Sequence, residues 1–170
     1  MLIIFGGLPG SGKTTLAREL ARRTGAFHLR IDLIEQAMRN CGRMQAPLDG
    51  AGYHVAYALA EDNMRNGHSV IADSVNSLQA TRDAWLEVAH RAGVKAVEIE
   101  IQCSDAQEHR RRVESRATDI EGLRLPTWQE ILSREYHPWI REPIVIDTAG
   151  RSVEQSIAAL QAALASRICR

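Results

Sequence analysis

The sequence predicts an α/β fold of three layers (α/β/α), in which helices cover both faces of a five-stranded, mainly parallel sheet. Two observations support this prediction. Apolar runs with strand character alternate with segments of helical periodicity, which is typical of a parallel sheet. A glycine-rich segment, residues 7–14, joins the first apolar run to the first helical segment. The length of 170 residues suits one domain, residues 1–170.

Five short apolar runs predict the strands. They occupy residues 2–5, 26–31, 69–72, 94–101 and 144–146. Runs that are apolar throughout are expected to be buried on both faces of the sheet. The fourth run instead alternates apolar residues with Glu98 and Glu100. That alternation predicts one solvated face, and therefore a strand nearer an edge of the sheet.

Helical periodicity fills the intervals between these runs. We expect helices after residue 14, over 33–39, 53–66, 81–91 and about 104–116, from 127, and after 150. Ser104 and Asp105 are typical of a helix N-cap, and a capping box is expected at Thr127. Pro138 is expected to disturb the end of the helix that begins there. Residues 41–52 are expected to form a loop.

The segment Gly7–Thr14 contains every residue of a phosphate-binding loop: a glycine, four residues, and then Gly-Lys-Thr. Glycines allow positive φ and close backbone approach, so successive N–H groups can surround the phosphates of a nucleotide. Lys13 adds a positive charge, and the Thr14 hydroxyl can coordinate Mg²⁺. The flanking strand and helix favour this function over a simple glycine-rich turn, and they identify a P-loop NTPase fold. We assign nucleotide binding to Gly7, Gly10, Ser11, Gly12, Lys13, Thr14 and Thr15.

The composition narrows the functional classes. Basic and acidic residues balance at 21 each, so net charge gives no support to binding of nucleic acid or an anionic membrane. No apolar run approaches the ~18 residues of a membrane span, and the first run is too short for a signal peptide. Cys41, Cys103 and Cys169 lack metal-ligand spacing and are interpreted as reduced thiols of a cytoplasmic protein. The sequence carries no signature of oligomeric state.

Aspartates are expected at the carboxyl ends of three strands, where open α/β sheets bind ligands. Asp32 is the leading candidate for a general base that takes the proton of an acceptor hydroxyl; the alternative is that it only caps the following helix. Asp73 is a candidate for orienting Mg²⁺ through a water molecule, and the alternative is a turn or cap. Asp147 follows the fifth strand. Which of Asp32 and Asp73 is the base stays open.

An arginine-rich stretch predicts a cationic lid over about residues 112–126. Arg112 and Arg116 are four residues apart and are expected to share one helix face, so both could reach a triphosphate. Arginines from a closing segment stabilise the charge that develops in phosphoryl transfer. His109 is expected to be solvated. Gly122 lies in the loop that would let the segment close and exclude water.

Four polar residues are weaker candidates for contacts with the phosphate acceptor. Asn76 and Arg82 follow the third strand and are expected within reach of the same cleft. Arg30 and Arg39 flank Asp32 in the region that would line the acceptor pocket. An arginine in that region suggests an anionic acceptor.

These residues resemble the small P-loop kinases, a superfamily that includes gluconate, shikimate, adenylylsulfate and polynucleotide kinases and zeta-toxin-like phosphotransferases. The resemblance is carried by the loop at residues 7–14, the Arg30-x-Asp32 strand end, the arginine-rich lid and the turn at residues 147–150. Residues 70–76 followed by Thr81-Arg82-x-x-Trp85 are most similar to the kinase domain of phage-type polynucleotide kinases. The resemblance covers essentially the whole chain.

The resemblance implies ATP and Mg²⁺ as cosubstrates and transfer of the γ-phosphate to a hydroxyl group. It also implies Asp32 as base, Arg112 or Arg116 as lid arginine, and residues near Thr148 beside the adenine. Shikimate kinases carry Asp-x-Asp where this chain has Arg30-x-Asp32, which counts against shikimate as acceptor. Polynucleotide kinases usually have a basic groove, which a neutral chain does not support.

The main hypothesis is an ATP-dependent kinase for a small metabolite that bears a hydroxyl group. A same-fold rival phosphorylates the 5′-hydroxyl of a polynucleotide. Two further hypotheses are a nucleotide-hydrolysing switch and a nucleotide-binding protein without transfer activity. The sequence has no guanine-recognition motif of the Asn-Lys-x-Asp type, which weakens the switch.

Overall fold

A computed structural model describes residues 1–41 and 50–168 of the chain. The strands are β1 (Leu2–Gly6), β2 (Phe27–Arg30), β3 (Val70–Asp73), β4 (Ala96–Gln102) and β5 (Ile144–Asp147). The helices are α1 (Lys13–Thr24), α2 (Ile31–Asn40), α3 (Ala51–Arg65), α4 (Gln79–Arg91), α5 (Ala106–Ser115), α6 (Trp128–Leu132) and α7 (Val153–Ile168). Residues 42–49 of the expected loop, and Cys169, lie outside the described residues; Cys41 and Cys103 are free thiols.

The five strands form one sheet in the order β2-β3-β1-β4-β5, and every neighbouring pair is parallel. Alternate residues of β1 point to opposite faces. Ile3 and Phe5 belong to a core with α1 and α7, whereas Leu2 and Ile4 belong to a core with α3 and α4. The predicted three-layer α/β/α class is confirmed. Because β1 is the central strand, the loop that follows it lies at the middle of the sheet edge.

The junction of β2 and α2 differs from the predicted one. The strand ends at Arg30, which is the extended N-cap residue of α2, and the helix begins at Ile31. Asp32 therefore neither ends the strand nor caps the helix. It lies in the first turn of α2, where a carboxylate is favoured by the helix dipole. The register pairs Arg30, rather than Asp32, with Asp73 of β3.

The alternating pattern of β4 has a cause other than an edge position. This strand pairs with β1 on one side and β5 on the other, so β5 and β2 are the edges. The chain between α6 and β5 crosses one face of β4. Arg141 forms an ion pair with Glu98, and the Tyr136 hydroxyl donates to Glu100. The glutamates on β4 thus meet protein partners instead of facing open solvent.

Arg82 fixes that crossing segment and is fully buried. Its guanidinium donates to the carbonyl oxygens of Asn76, Ser77, His137 and Pro138 at 2.7–3.3 Å. It also lies over the ring of Trp139, with Cζ 4.0 Å from the ring centroid. The helix α6 ends at Leu132, well before Pro138, so Pro138 does not disturb its end as expected.

Asn76 is likewise part of the framework. It has a positive φ of 46°, is fully buried, and its side-chain amide donates to the carbonyl oxygen of Phe5 at 2.7 Å. The expectation that Asn76 and Arg82 contact substrate is replaced by a structural function for both.

Several predicted helix ends are present. Asp105 caps α5 by accepting from the backbone N–H groups of Gln107 and Glu108. The capping box of Thr127 and Glu130 opens α6. Among the helices within the described ranges, none has both the length and the apolar character needed to cross a membrane.

Candidate active site

A cavity of about 1070 Å³ opens at the carboxyl ends of β1, β2 and β3. The phosphate-binding loop, α2 and the segment between α5 and α6 form its walls. The predicted site residues in its lining are Gly10, Gly12, Lys13, Thr14, Thr15, Arg30, Asp32, Arg39, Asp73, Arg112, Arg116 and Thr148. Gly7, Ser11, Asn76 and Arg82 lie outside that lining.

Two glycines of the loop are required by close packing as well as by conformation. Gly7 and Gly10 have φ values of 131° and 86°. A Cβ atom on Gly7 would lie 2.1 Å from the carbonyl oxygen of Ile101, and one on Gly10 would lie 2.5 Å from Cγ2 of Val113. Both contacts are too short for real atoms. The loop therefore rests directly on β4 and α5, which places its backbone towards the cavity.

His109 holds this loop and is buried, which corrects the expectation of a solvated residue. Its Nε2 atom is 2.8 Å from the carbonyl oxygen of Pro9, and its ring packs edge-on against Trp128. The helix α5 thus fastens one side of the phosphate-binding loop. The basic run around His109 concealed this function in the sequence, because a histidine beside three arginines is typical of an exposed face.

Thr148 holds the other side of the loop. Its buried hydroxyl lies 2.9 Å from the carbonyl oxygen of Ser11 and 3.0 Å from that of Gln102. Ser11 contacts Thr148 through its backbone carbonyl oxygen, and its side chain lies outside the cavity lining. The prediction that Thr148 lies beside an adenine remains untested, although its neighbourhood lines the cavity.

Lys13 carries a positive charge at the base of the cavity. The side chain is buried, and Nζ donates to the carbonyl oxygen of Leu8 at 3.2 Å. Burial lowers the pKa of Lys13, and the carboxylates of Asp73 and Asp32 oppose that change. Both predicted aspartates therefore act on the same ammonium group. A triphosphate bound by the loop would add further negative charge beside this buried ammonium group.

Asp73 is buried at the end of β3 and is held by a residue that the sequence analysis missed. His28 Nε2 lies 3.1 Å from Asp73 Oδ2. Burial by itself would raise the pKa of Asp73, but hydrogen bonds from His28 and Thr14 and the charge of Lys13 outweigh it, so the pKa lies below the usual value. His28 and Arg30 are two residues apart on β2 and therefore point to the same face of the sheet. That spacing could have indicated that His28 lies near Asp73, the residue opposite Arg30.

The donor atoms near Lys13 suit Mg²⁺ held mainly by nucleotide phosphates. Thr14 and Asp73 both line the cavity, and they supply a hydroxyl and a carboxylate oxygen. Magnesium commonly takes one or two protein oxygens together with phosphates and water. Within residues 1–41 and 50–168 no group of three or more His, Cys, Asp or Glu side chains could hold a metal by itself.

The two predicted lid arginines diverge. Arg112 donates to the hydroxyl and carbonyl oxygens of Thr148 at 2.8 and 2.9 Å, and it pairs with Glu108. The helix α5 ends at Ser115, so Arg116 is an extended C-cap residue. For this reason the two side chains do not share a helix face as expected, although both line the cavity.

Arg116 lines the cavity and lies close enough to Asp32 for their charges to interact. Burial lowers the pKa of Arg116, whereas the nearby Asp32 carboxylate raises it. The Nε atom of Arg116 is buried and has no hydrogen-bond partner among the described residues. Its charge also acts on Lys13. The Arg116 charge therefore acts on both Lys13 and Asp32, and all three residues line the cavity.

The acceptor side of the cavity is rich in cations. Arg39 lies 3.5 Å from Glu35 on α2, and Arg30 pairs with Asp119 of the lid segment at 2.7 Å. Arg134, just after α6, also lines the cavity, and its charge acts on Lys13. Sequence reasoning missed Arg134 because it is about a hundred residues from Asp32 in the sequence and no local motif marks it.

A family model for the AAA domain matches residues 2–135, from β1 to just beyond α6. The chain belongs to this AAA domain family. That membership confirms the resemblance to small P-loop kinases, since several proteins similar to the chain are named as kinases.

Three relatives are named shikimate kinase, and two of them match nearly the whole chain. The protein of Corynebacterium glutamicum is 27% identical, with 94% of each chain covered. That of Frankia casuarinae is 32% identical over 96% of this chain and 72% of its own length. The solved structure of the Mycobacterium tuberculosis adenylylsulfate (APS) kinase CysC, in complex with AMPPNP and APS, has a TM-score of 0.66 at 20% identity, with 96% of each chain covered. The family member described here is a nucleotide-binding P-loop protein of the kinase type.

Proposed function

We propose that the protein is an ATP-dependent kinase that transfers the γ-phosphate of ATP to a hydroxyl group of a small, anionic metabolite. The observation that carries the proposal is the meeting of three charges in one cavity. Lys13 is buried beneath the phosphate-binding loop, and the carboxylates of Asp32 and Asp73 both act on it. A triphosphate bound by the loop would bring its terminal phosphate towards these groups.

The residues can be given separate functions in the transfer. The acceptor oxygen attacks the γ-phosphorus, the bond from that phosphorus to the β–γ bridging oxygen breaks, and ADP leaves with the electron pair. Asp32, exposed to the cavity, accepts the hydroxyl proton and later releases it to water. Arg116 and Lys13 stabilise the negative charge on the phosphoryl oxygens.

Asp73 is better suited to ordering Mg²⁺ than to proton transfer. Its carboxylate is buried, is held by His28 and has a lowered pKa, so it remains ionised. Thr14 and Asp73 would hold the ion together with the nucleotide. When bound, Mg²⁺ neutralises phosphate charge. Asp32, by contrast, lies on the acceptor side and is free of the His28 contact.

The cations opposite the phosphate-binding loop favour an acceptor with negative charge. Arg30, Arg39 and Arg134 all line the cavity. Arginine binds carboxylate and phosphate groups in a two-pronged geometry. The shikimate and APS kinases among the similar proteins make a small anionic alcohol a reasonable acceptor class. The Arg30-x-Asp32 pattern differs from the Asp-x-Asp of shikimate kinases, so we propose the class without naming shikimate.

A transfer screen with γ-labelled ATP and Mg²⁺ tests this function. The acceptors are hydroxy acids including shikimate, phosphorylated sugars, neutral sugars, nucleosides and an oligonucleotide with a 5′-hydroxyl end. Label is expected on one hydroxy acid or phosphorylated sugar, and neutral analogues should be poor acceptors. Label on the oligonucleotide alone would replace the proposal with a polynucleotide kinase. Release of labelled phosphate with no labelled acceptor would indicate a hydrolase.

A further inference from the structure

One carboxylate joins the lid segment to the core of the protein. Asp119 lies between α5 and α6, and each of its oxygens accepts from a different arginine. Oδ2 is 2.5 Å from Arg18 on α1, and Oδ1 is 2.7 Å from Arg30 at the end of β2. Hydrogen bonds from Arg30 and Arg18 lower the pKa of Asp119 to about 2, so the group is charged at any neutral pH.

The same segment carries Arg116, three residues before Asp119. The charge of Arg30 opposes the charge of Arg116, as the lowered pKa of Arg116 reflects, after the larger effect of burial. Lys13 and Arg116 also repel one another. Four cations, Arg18, Arg30, Arg116 and Lys13, therefore surround this corner of the cavity. They need a negative group to remain together when no nucleotide is bound.

A second contact shows that the segment is packed onto α2. A Cβ atom on Gly122 would lie 3.0 Å from the side-chain nitrogen of Gln36, which is itself buried. The segment is thus attached to the acceptor wall at two points, by the Asp119 ion pairs and by the Gly122 contact. Only the first of these neutralises charge.

We propose that Asp119 is a positioning residue for phosphoryl transfer, which closes the lid segment on the core and presents Arg116 to the triphosphate. This inference rests on the proposed kinase function for its catalytic consequence. Arg30 is engaged by Asp119, so the anion of the acceptor is recognised chiefly by the other cavity arginines. Loss of the Asp119 charge would let the segment open, admit water and withdraw Arg116.

The expected size of the effect is moderate. Asp119 and Arg18 are each more than half exposed, but Arg30 is only 14% exposed, so the Arg30 pair is the less screened of the two. Exposed ion pairs typically contribute up to about a factor of five in an equilibrium constant. Two pairs acting on one segment should therefore change the closed fraction by about five- to tenfold.

The test compares Asp119→Asn with Glu121→Gln, a matched loss of one charge in the same segment. Glu121 makes no ion pair among the described residues and lies outside the cavity lining. Asp119→Asn should lower kcat about five- to tenfold, leave ATP affinity near that of the wild type, and raise the ratio of ADP formed to product phosphorylated above one. Glu121→Gln should match the wild type in all three. Equal kcat and equal product ratio in Asp119→Asn would overturn the proposal.

Hydrogen–deuterium exchange supplies a measurement that does not depend on catalysis. Backbone amides of residues 117–126 should exchange faster in Asp119→Asn than in the wild type, and Glu121→Gln should leave them unchanged. The exchanged pair Arg30→Asp with Asp119→Arg should restore slow exchange better than either single change. Unchanged exchange in Asp119→Asn would show that Asp119 does not hold the lid segment, even if the protein is an active kinase. If the wild type phosphorylates no acceptor, the proposed function fails, whereas the exchange result still decides whether Asp119 holds the segment.

Discussion

The two halves of the cavity are built by different interactions. On the donor side, the phosphate-binding loop is held by buried hydrogen bonds from His109 to Pro9 and from Thr148 to Ser11. On the acceptor side, the lid segment is held by exposed ion pairs, chiefly those of Asp119. Buried hydrogen bonds have fixed partners and resist salt, whereas exposed pairs are screened and exchange partners readily. The difference suits a preformed nucleotide site facing an acceptor site that opens and closes.

The largest expected effect tests the donor half. Lys13→Ala should reduce phosphoryl transfer by about a thousandfold or more, because it removes the buried positive charge that we propose stabilises the transferred phosphoryl group. Lys95→Ala, at an exposed position before β4, is the matched control. Steady-state transfer assays, with circular dichroism to verify folding, measure the result. Near-normal turnover in a folded Lys13→Ala protein would be incompatible with the assigned donor site.

The second prediction concerns Asp32, which lines the cavity on the acceptor side and acts on the Lys13 charge of the donor side. Asp32→Asn should lower kcat by about a hundred- to a thousandfold with ATP affinity nearly unchanged, because a general base acts on the acceptor and not on the nucleotide. Asp62→Asn, on the exposed face of α3, should have no effect. Equal losses of ATP affinity and turnover would show instead that Asp32 serves helix α2 alone.

The third prediction addresses the segment that brings Arg134 to the acceptor side. Arg82→Met should lower the free energy of unfolding by about 2–4 kcal/mol, because four carbonyl oxygens lose their buried donor. Arg91→Met breaks the partly exposed pair with Glu61 and the longer one with Glu87, and it should cost no more than about 1 kcal/mol. Urea unfolding followed by tryptophan fluorescence gives both values. Equally small losses of unfolding free energy in the two variants would mean that the Arg82 hydrogen bonds do not stabilise the fold.

The smallest expected effect sharpens the account of the donor half. His109→Ala should weaken nucleotide binding by about tenfold, which is the loss of one hydrogen bond that holds the loop. His109→Gln, which can still donate to the Pro9 carbonyl, should recover part of that affinity. Calorimetric titration with a non-hydrolysable ATP analogue measures both, with His90→Ala, an exposed histidine of α4, as control. An unchanged affinity in His109→Ala would leave the loop independent of α5.

The sequence prediction succeeded where the signal was local. The phosphate-binding loop, the capping box at Thr127 and the cap at Asp105 each depend on residues within a stretch of eight or fewer, and all appear in the structure at the predicted places. The prediction was wrong for Arg112 and Arg116 as a pair, because spacing on a helix has no meaning once the helix ends at Ser115. It was also wrong for His109, whose burial depends on contacts about a hundred residues away.

The functions of other residues depend on contacts between distant parts of the chain, which no local sequence pattern predicts. Arg82 lies on α4, where an arginine would ordinarily be exposed. It is instead buried, and it donates to carbonyl oxygens more than fifty residues later in the chain. Arg134, just after the end of α6, lines the cavity although it is far in sequence from the other lining arginines. Asp119 lies in a loop without periodicity, and its partners come from α1 and β2. Such contacts join residues that are far apart in the sequence and adjacent only in the tertiary structure.

The sequence by itself determined the fold class and the donor half of the site, because a strand, a glycine loop and a helix adjacent in the chain are also adjacent in space. Glycine, lysine and threonine at fixed spacing allow few other structures. Only the tertiary structure decided the acceptor half. There the charged groups of Arg30, Asp32, Arg116 and Asp119 come from three separate elements. The function of each group depends on which of the others lies within a few ångströms of it.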